Sequence, residues 1–390
     1  MSEWKKVKLG DYIDVLSGFA YKSKDFSDSG IPVIKIKNVC PPYISLEDLS
    51  YVPNSIAFQN PRYILKKGDV LIAMTGSHIN QIASVVGRVG RVRYDDVTVL
   101  NQRVGKIINK DDSLSCLDFI YYYLSQDEVK VELAQKAGGA ANQANISPSD
   151  IKNLMIPCPP LEVQNRIATI LTRYDSLIEN YQKQIKLLEE AAQRLYKEWF
   201  VDLHFPGYEN TKIIDGVPEG WEKKLVGDVT PIKTGKKDAN FGTDNGPFPF
   251  FTCAQEPIKA PSYSFDTSAV ILAGNGDFNV KLYRGKFEAY QRTYVLEPTN
   301  ENMLYLLYFC ISENMNRLAT GASGSTIKFL TKGMIESLVI IEPSICVLDS
   351  FNQIIEPIRT QKENLQSQIR LLTEARDRLL PKLMSGEITV

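Results

Sequence analysis

Histidine is scarce in this chain of 390 residues, which contains only His78 and His204. The six cysteines are scattered and form no Cys-x-x-Cys pair, and together with the scarcity of histidine this argues against a zinc site. We interpret the cysteines as reduced thiols and expect no metal. No apolar run approaches the ~18–20 residues of a membrane span, and the amino terminus lacks the apolar stretch of a signal peptide. These absences predict a cytoplasmic protein with no membrane partner.

Common catalytic motifs are missing as well. The sequence contains no GxxxxGK[ST] phosphate loop, no HExxH, no GxSxG and no Asn-Pro-Pro-aromatic motif for amino methylation. The segment GNGDFN (274–279) lacks the third glycine of a dinucleotide fingerprint. Two Glu-x-Lys triplets, Glu128–Lys130 and Glu222–Lys224, leave a nuclease open, although such triplets often arise by chance. We therefore expect a non-catalytic chain that uses no cofactor of its own.

The charge is nearly balanced overall but is unevenly distributed. The chain has 45 Lys/Arg and 46 Asp/Glu, for a net charge of −1. Residues 1–110 contain sixteen Lys/Arg and ten Asp/Glu, whereas residues 111–160 contain three and seven. A DNA-binding protein needs cations where phosphates pass rather than over its whole surface. The charge distribution permits DNA binding without establishing it.

What is present is a long internal repeat. The segment IENYQKQIKLLEEAAQRLY (178–196) returns 184 positions later as KENLQSQIRLLTEARDRLL (362–380). WKKVKLGD (4–11) returns 217 positions later as WEKKLVGD (221–228), and Gln102-Arg103 is echoed by Gln291-Arg292. We infer a duplication in which two globular modules alternate with two long helices. The predicted segments are a first module (1–157), a first long helix (158–202), a second module (203–343) and a second long helix (344–390).

The modules are predicted to have a mixed α+β fold. In the first module, strand-like runs at Val33–Ile36, Val70–Ala73, Ala83–Val86 and Val97–Leu100 outnumber the helical signals. One helix is expected at about 117–136, with Tyr121–Tyr123 and Met74 in the core. His204 is interpreted as a structural residue just beyond the first long helix.

Both long helices have apolar residues at alternating spacings of three and four, which is typical of a coiled-coil seam. Lys362 and Arg376 interrupt the second seam, and Pro357 is expected to kink that helix or delay its start. Because an apolar stripe needs a partner, we predict an antiparallel coiled coil that gives the chain approximate twofold symmetry and separates the two modules. The predicted seam residues are Leu171, Tyr174, Ile178, Tyr181, Ile185, Leu188 and Leu195, and Ile358, Leu365, Ile369, Leu372 and Leu379.

Candidate DNA-binding residues combine basic and amide side chains with aromatic neighbours. Asn and Gln can read adenine, Arg and Lys can read guanine, and the others can hold phosphate. For any single one of them, a solvated position in a loop or at a strand edge is the more common alternative. In the first module they are Lys22, Lys24, Lys35, Lys37, Asn38, Thr75, Ser77, His78, Asn80, Gln81, Arg88, Arg91 and Arg93. In the second module they are Lys233, Lys236, Lys237, Asn275, Asn279, Lys281, Arg284, Ser325, Thr326 and Lys328.

The whole pattern resembles the specificity (S) subunit of type I restriction–modification systems. The matching segments are LGDYIDVLSGFAYKSKDF (9–26), GDVLIAMTGS (68–77), LNQRVGKI (100–107), NISPSDIKNLMIPCPPLEVQNRIATIL (145–171) and GSTIKFLTKGMIESLVIIEPS (324–344). The entry to the second helix departs from the family because it lacks the Pro-Pro-x-x-x-Gln pattern of Pro159–Gln164.

The resemblance implies that each module is a target recognition domain reading one half of a split, asymmetric site in double-stranded DNA. The helix pair would set the gap between the halves and dock two methyltransferase (M) subunits. Restriction (R) subunits would join them, and S-adenosylmethionine, ATP and Mg²⁺ would be bound by these partners only. Three alternatives remain open: a helical scaffold that reads no DNA, an orphan specificity protein working with a methyltransferase alone or as an anti-restriction decoy, and the free-standing nuclease.

Overall fold

The computed structural model describes residues 4–76, 86–137, 144–322, 324 and 328–390. Over these residues the chain divides into two compact units. The first unit comprises the chain up to Asn180 together with Gln368–Val390, and the second comprises Tyr181–Ser367. Each unit therefore contains one module and a segment of both long helices.

The first module is built on a mixed six-stranded sheet in the order β2-β12-β8-β10-β5-β4. Among the described strands of this sheet, β10 and β5 form the only parallel pair. The same module also contains a four-stranded sheet in the order β6-β3-β11-β7. In addition, β1 pairs with β14. The strands are β1 (Lys6–Lys8), β2 (Ile13–Ser17), β3 (Ile31–Ile34), β4 (Val39–Cys40), β5 (Tyr43–Ile44), β6 (Ser50–Val52), β7 (Ile64–Leu65), β8 (Val70–Ala73), β9 (Thr75–Gly76), β10 (Val89–Arg91), β11 (Thr98–Leu100), β12 (Val104–Asn109), β13 (Ala144–Asn145) and β14 (Met155–Pro157).

The helices of the first module correct one prediction. The single helix expected at about 117–136 is two helices, because the chain leaves the helical conformation at Gln126. Tyr121–Tyr123 and Met74 are buried, as predicted. The predicted strand at Val70–Ala73 is confirmed, and most of Ala83–Val86 lies outside the described residues. The helices are α1 (Asn54–Ala57), α2 (Leu117–Leu124), α3 (Asp127–Lys136) and α4 (Pro148–Lys152).

The second module repeats this plan with a six-stranded sheet in the order β18-β23-β21-β22-β19-β20. Its parallel pair, β19 with β22, corresponds to β5 with β10, and β17 pairs with β24 as β1 pairs with β14. The strands are β15 (Ile213–Ile214), β16 (Val217–Pro218), β17 (Glu222–Leu225), β18 (Ile232–Thr234), β19 (Phe248–Phe251), β20 (Ile258–Ala260), β21 (Phe265–Ala273), β22 (Val280–Ala289), β23 (Thr293–Leu296) and β24 (Val339–Glu342), and the module's helices are α6 (Val226–Val229), α7 (Leu304–Glu313), α8 (Met315–Gly321) and α9 (Lys332–Glu336).

The two modules differ at one edge. The outermost strand β4 precedes β5 in the chain, whereas β20 follows β19. Within its described residues the second module has no counterpart of the four-stranded sheet, in agreement with its shorter length. The duplication inferred from the sequence is therefore confirmed in the strand order of the central sheets.

Two long helices complete the units. The first, α5, spans Leu161–Tyr196 and continues into a π-helical turn, and the second, α10, spans Ile345–Met384. Pro357 lies inside α10, so the expected delay of that helix is wrong. All twelve predicted seam residues are buried or half-buried, as a seam requires.

In each unit the two helical segments run antiparallel. In the first unit the side chains of Asp175 and Arg376 are paired, and Leu383 shares a core with Ile167. In the second unit the Nζ of Lys362 lies 2.6 Å from an Oε1 of Glu189, and the Phe351 and Trp199 rings are 5.9 Å apart. The two cations that interrupt the seam therefore have acidic partners on α5.

The described residues also show the state of the cysteines, the hydropathy of the helices and the grouping of side chains that could bind a metal. All six cysteines are unpaired thiols. No helix in the described segments is both long and apolar enough to cross a membrane. Over the same segments, no three His, Cys, Asp or Glu side chains are grouped to hold a metal ion.

Candidate nucleic-acid interface

Four segments of the first module meet at one end of its central sheet. The Gln102 amide donates to the Phe19 carbonyl at 2.9 Å, which joins the turn after β2 to the turn before β12. The Met74 amide donates to the Arg103 carbonyl at 3.0 Å, and the Ile146 amide donates to the Met74 carbonyl at 2.9 Å. These bonds bring the end of β8 and the strand before α4 to the same place.

The second module has the same connections. The Gln291 amide donates to the Lys237 carbonyl at 2.9 Å. The Gly274 amide donates to the Arg292 carbonyl at 2.8 Å, and the Leu330 amide donates to the Gly274 carbonyl at 2.8 Å. We call this part of each module its loop end. It comprises 18–25, 74–76, 101–103 and 144–146 in the first module, and 235–241, 274–279, 290–292 and 328–330 in the second.

A repeated glycine makes the close approach of these segments possible. Gly18 follows β2 and Gly235 follows β18, at corresponding positions. A Cβ at Gly18 would collide with the carbonyl oxygen of Asn101, and one at Gly235 would collide with that of Ala289. The glycines that recur 217 positions apart are therefore required by backbone packing at each loop end.

Several predicted DNA-binding residues lie at the loop ends. Lys22 and Lys24 are exposed in the first module, as are Lys236 and Lys328 in the second. The Thr75 hydroxyl is buried and donates to the Asn145 Oδ1 at 2.7 Å, so it links two of the converging segments.

A small polar cluster adjoins the loop end of the second module. The Cys253 thiol donates to the Asn275 Oδ1 at 2.7 Å, and the side-chain amide (Nδ2) of Asn279 donates to the Cys253 carbonyl at 3.1 Å. Lys281 donates to the Ala254 carbonyl at 2.8 Å, and burial lowers its pKa. Lys237 lies 4.4 Å from the centre of the Phe241 ring. Asn275, Asn279 and Lys281 thus have partners within the protein.

Lys35, Lys37 and Asn38 form a turn beside β3. Lys35 donates to the Ser50 hydroxyl at 2.8 Å, and burial lowers its pKa. Lys37 is paired with the exposed carboxylate of Asp48. Asn38 is buried, and its amide donates to the Glu47 carbonyl at 3.0 Å. The Asn38 side chain therefore stabilises this turn.

None of the predicted arginines belongs to the loop-end segments defined above. Arg91 is buried, with its Nη2 2.7 Å from the Asp118 Oδ1 and its guanidinium over the Tyr121 ring. Arg88 lines a cavity of about 390 Å³ that also contains Cys40 and Lys130. Arg93 and Arg284 pair with acids on the long helices, as described below.

The remaining predicted site residues are one lysine in a surface ion pair and six residues outside the described part of the chain. Lys233 forms an exposed ion pair with Glu297, at 2.8 Å between Nζ and Oε2. Ser77, His78, Asn80, Gln81, Ser325 and Thr326 lie outside the described residues.

The repeated Gln-Arg pairs are not among the candidates named from the sequence, although they lie at the loop ends. Gln102, Arg103, Gln291 and Arg292 all have exposed side chains, although their backbones hold the loop ends together. The Gln291 side chain donates to the Asp238 Oδ1 at 2.8 Å. The signal that could have identified the pairs was their recurrence in both halves of the sequence.

A buried carboxylate joins the first module to both helical segments of its unit. Asp175, on α5, is 1% exposed. Its Oδ2 accepts from the Tyr122 hydroxyl at 2.7 Å, and its Oδ1 accepts from the Arg376 Nη1 at 2.8 Å. Arg93 approaches to 3.7 Å from Asp175 and 3.6 Å from Glu179. Burial and the nearby Asp175 carboxylate raise the pKa of Tyr122, so its phenol remains a donor.

The second unit has a matching cluster on the other long helix. Glu356, on α10, accepts from the Arg284 Nη1 at 3.0 Å and from the Tyr305 hydroxyl. Burial tends to raise the pKa of Glu356, but the bonds from Tyr305 and Arg284 leave it lowered. In both units the arginine lies in or just after the strand next to the central strand of the six-stranded sheet, and the tyrosine lies on the helix that follows the sheet. Both side chains contact a carboxylate on the long helix that comes next in the chain. We call these the anchor clusters.

Comparison with known proteins agrees with this duplicated plan. The family model for the "Type I restriction modification DNA specificity domain" matches residues 1–190 and 218–363. The chain is 36% identical over 177 residues to the type I restriction enzyme EcoDI specificity subunit of Escherichia coli, covering 44% of this chain and 40% of that protein. It is 26% identical over 420 residues to the MjaIX specificity subunit of Methanocaldococcus jannaschii, covering 100% of this chain and 94% of the relative.

A solved structure shares the fold. The S subunit of a type I restriction–modification system from M. genitalium aligns with a TM-score of 0.62 at 17% identity, covering 98% of this chain and 96% of that one. Since the family model matches both modules and reaches into both long helices, the chain belongs to the family of type I restriction–modification DNA specificity proteins.

Proposed function

We propose that this protein is the specificity subunit of a type I restriction–modification complex and that each module reads one half of a bipartite, asymmetric DNA target. The observation that supports this most directly is the loop end, which is built by the same backbone bonds in both modules. The segments after β8 and β21 differ, since Met74-Thr75-Gly76 stands where the second module has Gly274-Asn275-Gly276. One backbone frame with different side chains suits two readers of different half-sites.

The chain itself would perform no catalysis. Two M subunits would bind S-adenosylmethionine and methylate adenine after flipping it from the duplex. R subunits would bind ATP and Mg²⁺, and the complex would work in the cytoplasm. The antiparallel helix pair would set the gap between half-sites. Support for this division comes from the specificity-subunit relatives and from the lack of phosphate-loop and methylation motifs in the sequence.

Two exposed leucines fit the docking of two M subunits. Leu187 is 64% exposed on α5 and Leu371 is 53% exposed on α10. They occupy corresponding positions of the repeat, 184 residues apart, next to the seam residues Leu188 and Leu372. What supports docking is the repetition: an exposed leucine at the same place on each helix gives two equivalent contacts, as two copies of one partner would need.

The proposal is tested by purifying the tagged chain from its own cells and mapping N6-methyladenine across the genome. We expect an M subunit to co-purify and a bipartite methylated motif to disappear on deletion of the gene. Expressing the chain with either loop end transplanted from a relative should change one half of the motif only. A chain that recovers no methyltransferase and leaves methylation unchanged would instead favour a scaffold.

A further inference from the structure

Arg103 and Arg292 present the same feature in both modules. Each follows a glutamine whose amide closes the loop end, and each gives its own carbonyl to the segment after the central strand. Both side chains are exposed, and neither forms an ion pair with a described residue. In contrast, Arg91, Arg93 and Arg284 are paired with carboxylates.

The equivalence of the two arginines limits what they can recognise. If the modules read different half-sites, a residue that is identical in both cannot be the source of the difference. The part of DNA that is the same at both half-sites is the sugar–phosphate backbone. An exposed guanidinium suits phosphate because it stays charged and can donate two parallel hydrogen bonds.

We propose that Arg103 and Arg292 are equivalent phosphate contacts that position each loop end on the duplex without reading its sequence. This inference rests on the proposed function and adds a specific role within it. Backbone hydrogen bonds fix the chain around each arginine. In the first module the Gln102 amide donates to the Phe19 carbonyl and the Arg103 carbonyl accepts from the Met74 amide, and the second module has the counterparts of both bonds. A contact held this rigidly can set the orientation of the neighbouring, variable segments over the bases.

The test is a binding measurement on the full complex recovered with this chain. Arg103→Ala, Arg292→Ala and the double variant are compared on a duplex with the methylated motif and on one with both half-sites scrambled. Affinities are measured over a series of salt concentrations. We expect each single variant to weaken binding to both duplexes by the same factor. The slope of log affinity against log salt should become less steep by about 0.9.

Two controls sharpen the result. Arg103→Lys should keep the salt slope, because a lysine can still neutralise one phosphate. Arg370→Ala removes an exposed arginine of α10 that is distant in sequence from either loop end, and it should leave the slope unchanged. Circular dichroism of every variant checks that the fold is retained.

Other outcomes would separate this inference from the proposed function. A loss confined to the motif duplex, or relaxed discrimination at one base pair, would mean that the arginine reads a base, and it would overturn the phosphate assignment. An unchanged salt slope would overturn it as well. If the unmodified complex does not prefer the motif over the scrambled duplex, the proposed function fails instead.

Discussion

At the scale of single residues, the anchor clusters explain features that look unfavourable in the sequence. Arg376 interrupts the apolar seam, and a buried Asp175 would by itself be costly. Together they form a charge pair that Tyr122 and Arg93 complete. These residues are far apart in the sequence, so no local pattern could have linked them. The sequence therefore predicted the interruption of the seam but not its partner.

We predict that Asp175→Ala destabilises the first unit by about 1–3 kcal/mol, because the largely buried guanidinium of Arg376 then loses its buried carboxylate partner and keeps only the exposed Asp377. The measurement is urea denaturation followed by circular dichroism. Asp175→Leu combined with Arg376→Leu should recover most of this loss, since the seam then contains no arginine that has lost its buried carboxylate.

The matched control is Glu374→Ala, which breaks an exposed ion pair with Arg378 on α10. Its effect should be within about 0.5 kcal/mol. Equal stability of Asp175→Ala and this control would show that the cluster does not anchor the module.

The motif at the start of α5 has a structural role that cannot be read from the sequence. Residues Pro159–Gln164 match a family pattern, but the sequence alone does not reveal what the glutamine does. In the structure the Gln164 side chain is buried, donates to the Pro159 carbonyl at 2.9 Å and accepts from the Cys116 amide at 2.9 Å. The glutamine thus ties the first turn of α5 to the start of α2. At α10 this pattern is missing from the sequence, and the helix begins at Ile345.

At the scale of elements, periodicity predicted the long helices and their buried face well. Spacings of three and four depend on the helix alone, so they can be read without the fold. Strand pairing could not be read this way. The parallel pair of β10 and β5, and the order of six strands, depend on contacts between segments far apart in the chain. The break between α2 and α3 was also missed, because the residues around Gln126 carry no glycine or proline.

We predict that neighbouring leucines of the long helices differ in their effect on stability. Leu188→Asp and Leu372→Asp place a charge in the half-buried seam, so each should lower the melting temperature by several degrees. Leu187→Asp and Leu371→Asp change exposed side chains and should leave the melting temperature nearly unchanged. Thermal melts followed by circular dichroism measure this contrast.

The same four variants test docking. In pull-downs with the M subunit, Leu187→Asp and Leu371→Asp should each reduce the M recovered, and the two together should abolish its recovery. Full M binding by this double variant would move the docking site elsewhere on the chain. Unchanged melting and M binding in both seam variants would count against the helix pair itself.

At the scale of the whole molecule, the division into two units passes through both long helices near Asn180 and Ser367. Each unit thus contains a complete loop end and a complete anchor cluster. Under the proposed function, the helical stretch at this division can change in length without altering either reader. Half-site sequence and gap length would then be separate properties of the chain, set by different residues.

We predict that inserting one heptad after Asn180 and another after Ser367 lengthens the gap of the target. Seven residues add about 10 Å to each helix and preserve the seam, which corresponds to roughly three base pairs of B-DNA. Mapping methylated adenines in cells that express this variant should give the original half-sites with the longer gap. An insertion in only one helix leaves the pair mismatched, so methylation should be lost. If the double insertion methylates the original motif at its original gap, the helices do not set the spacing.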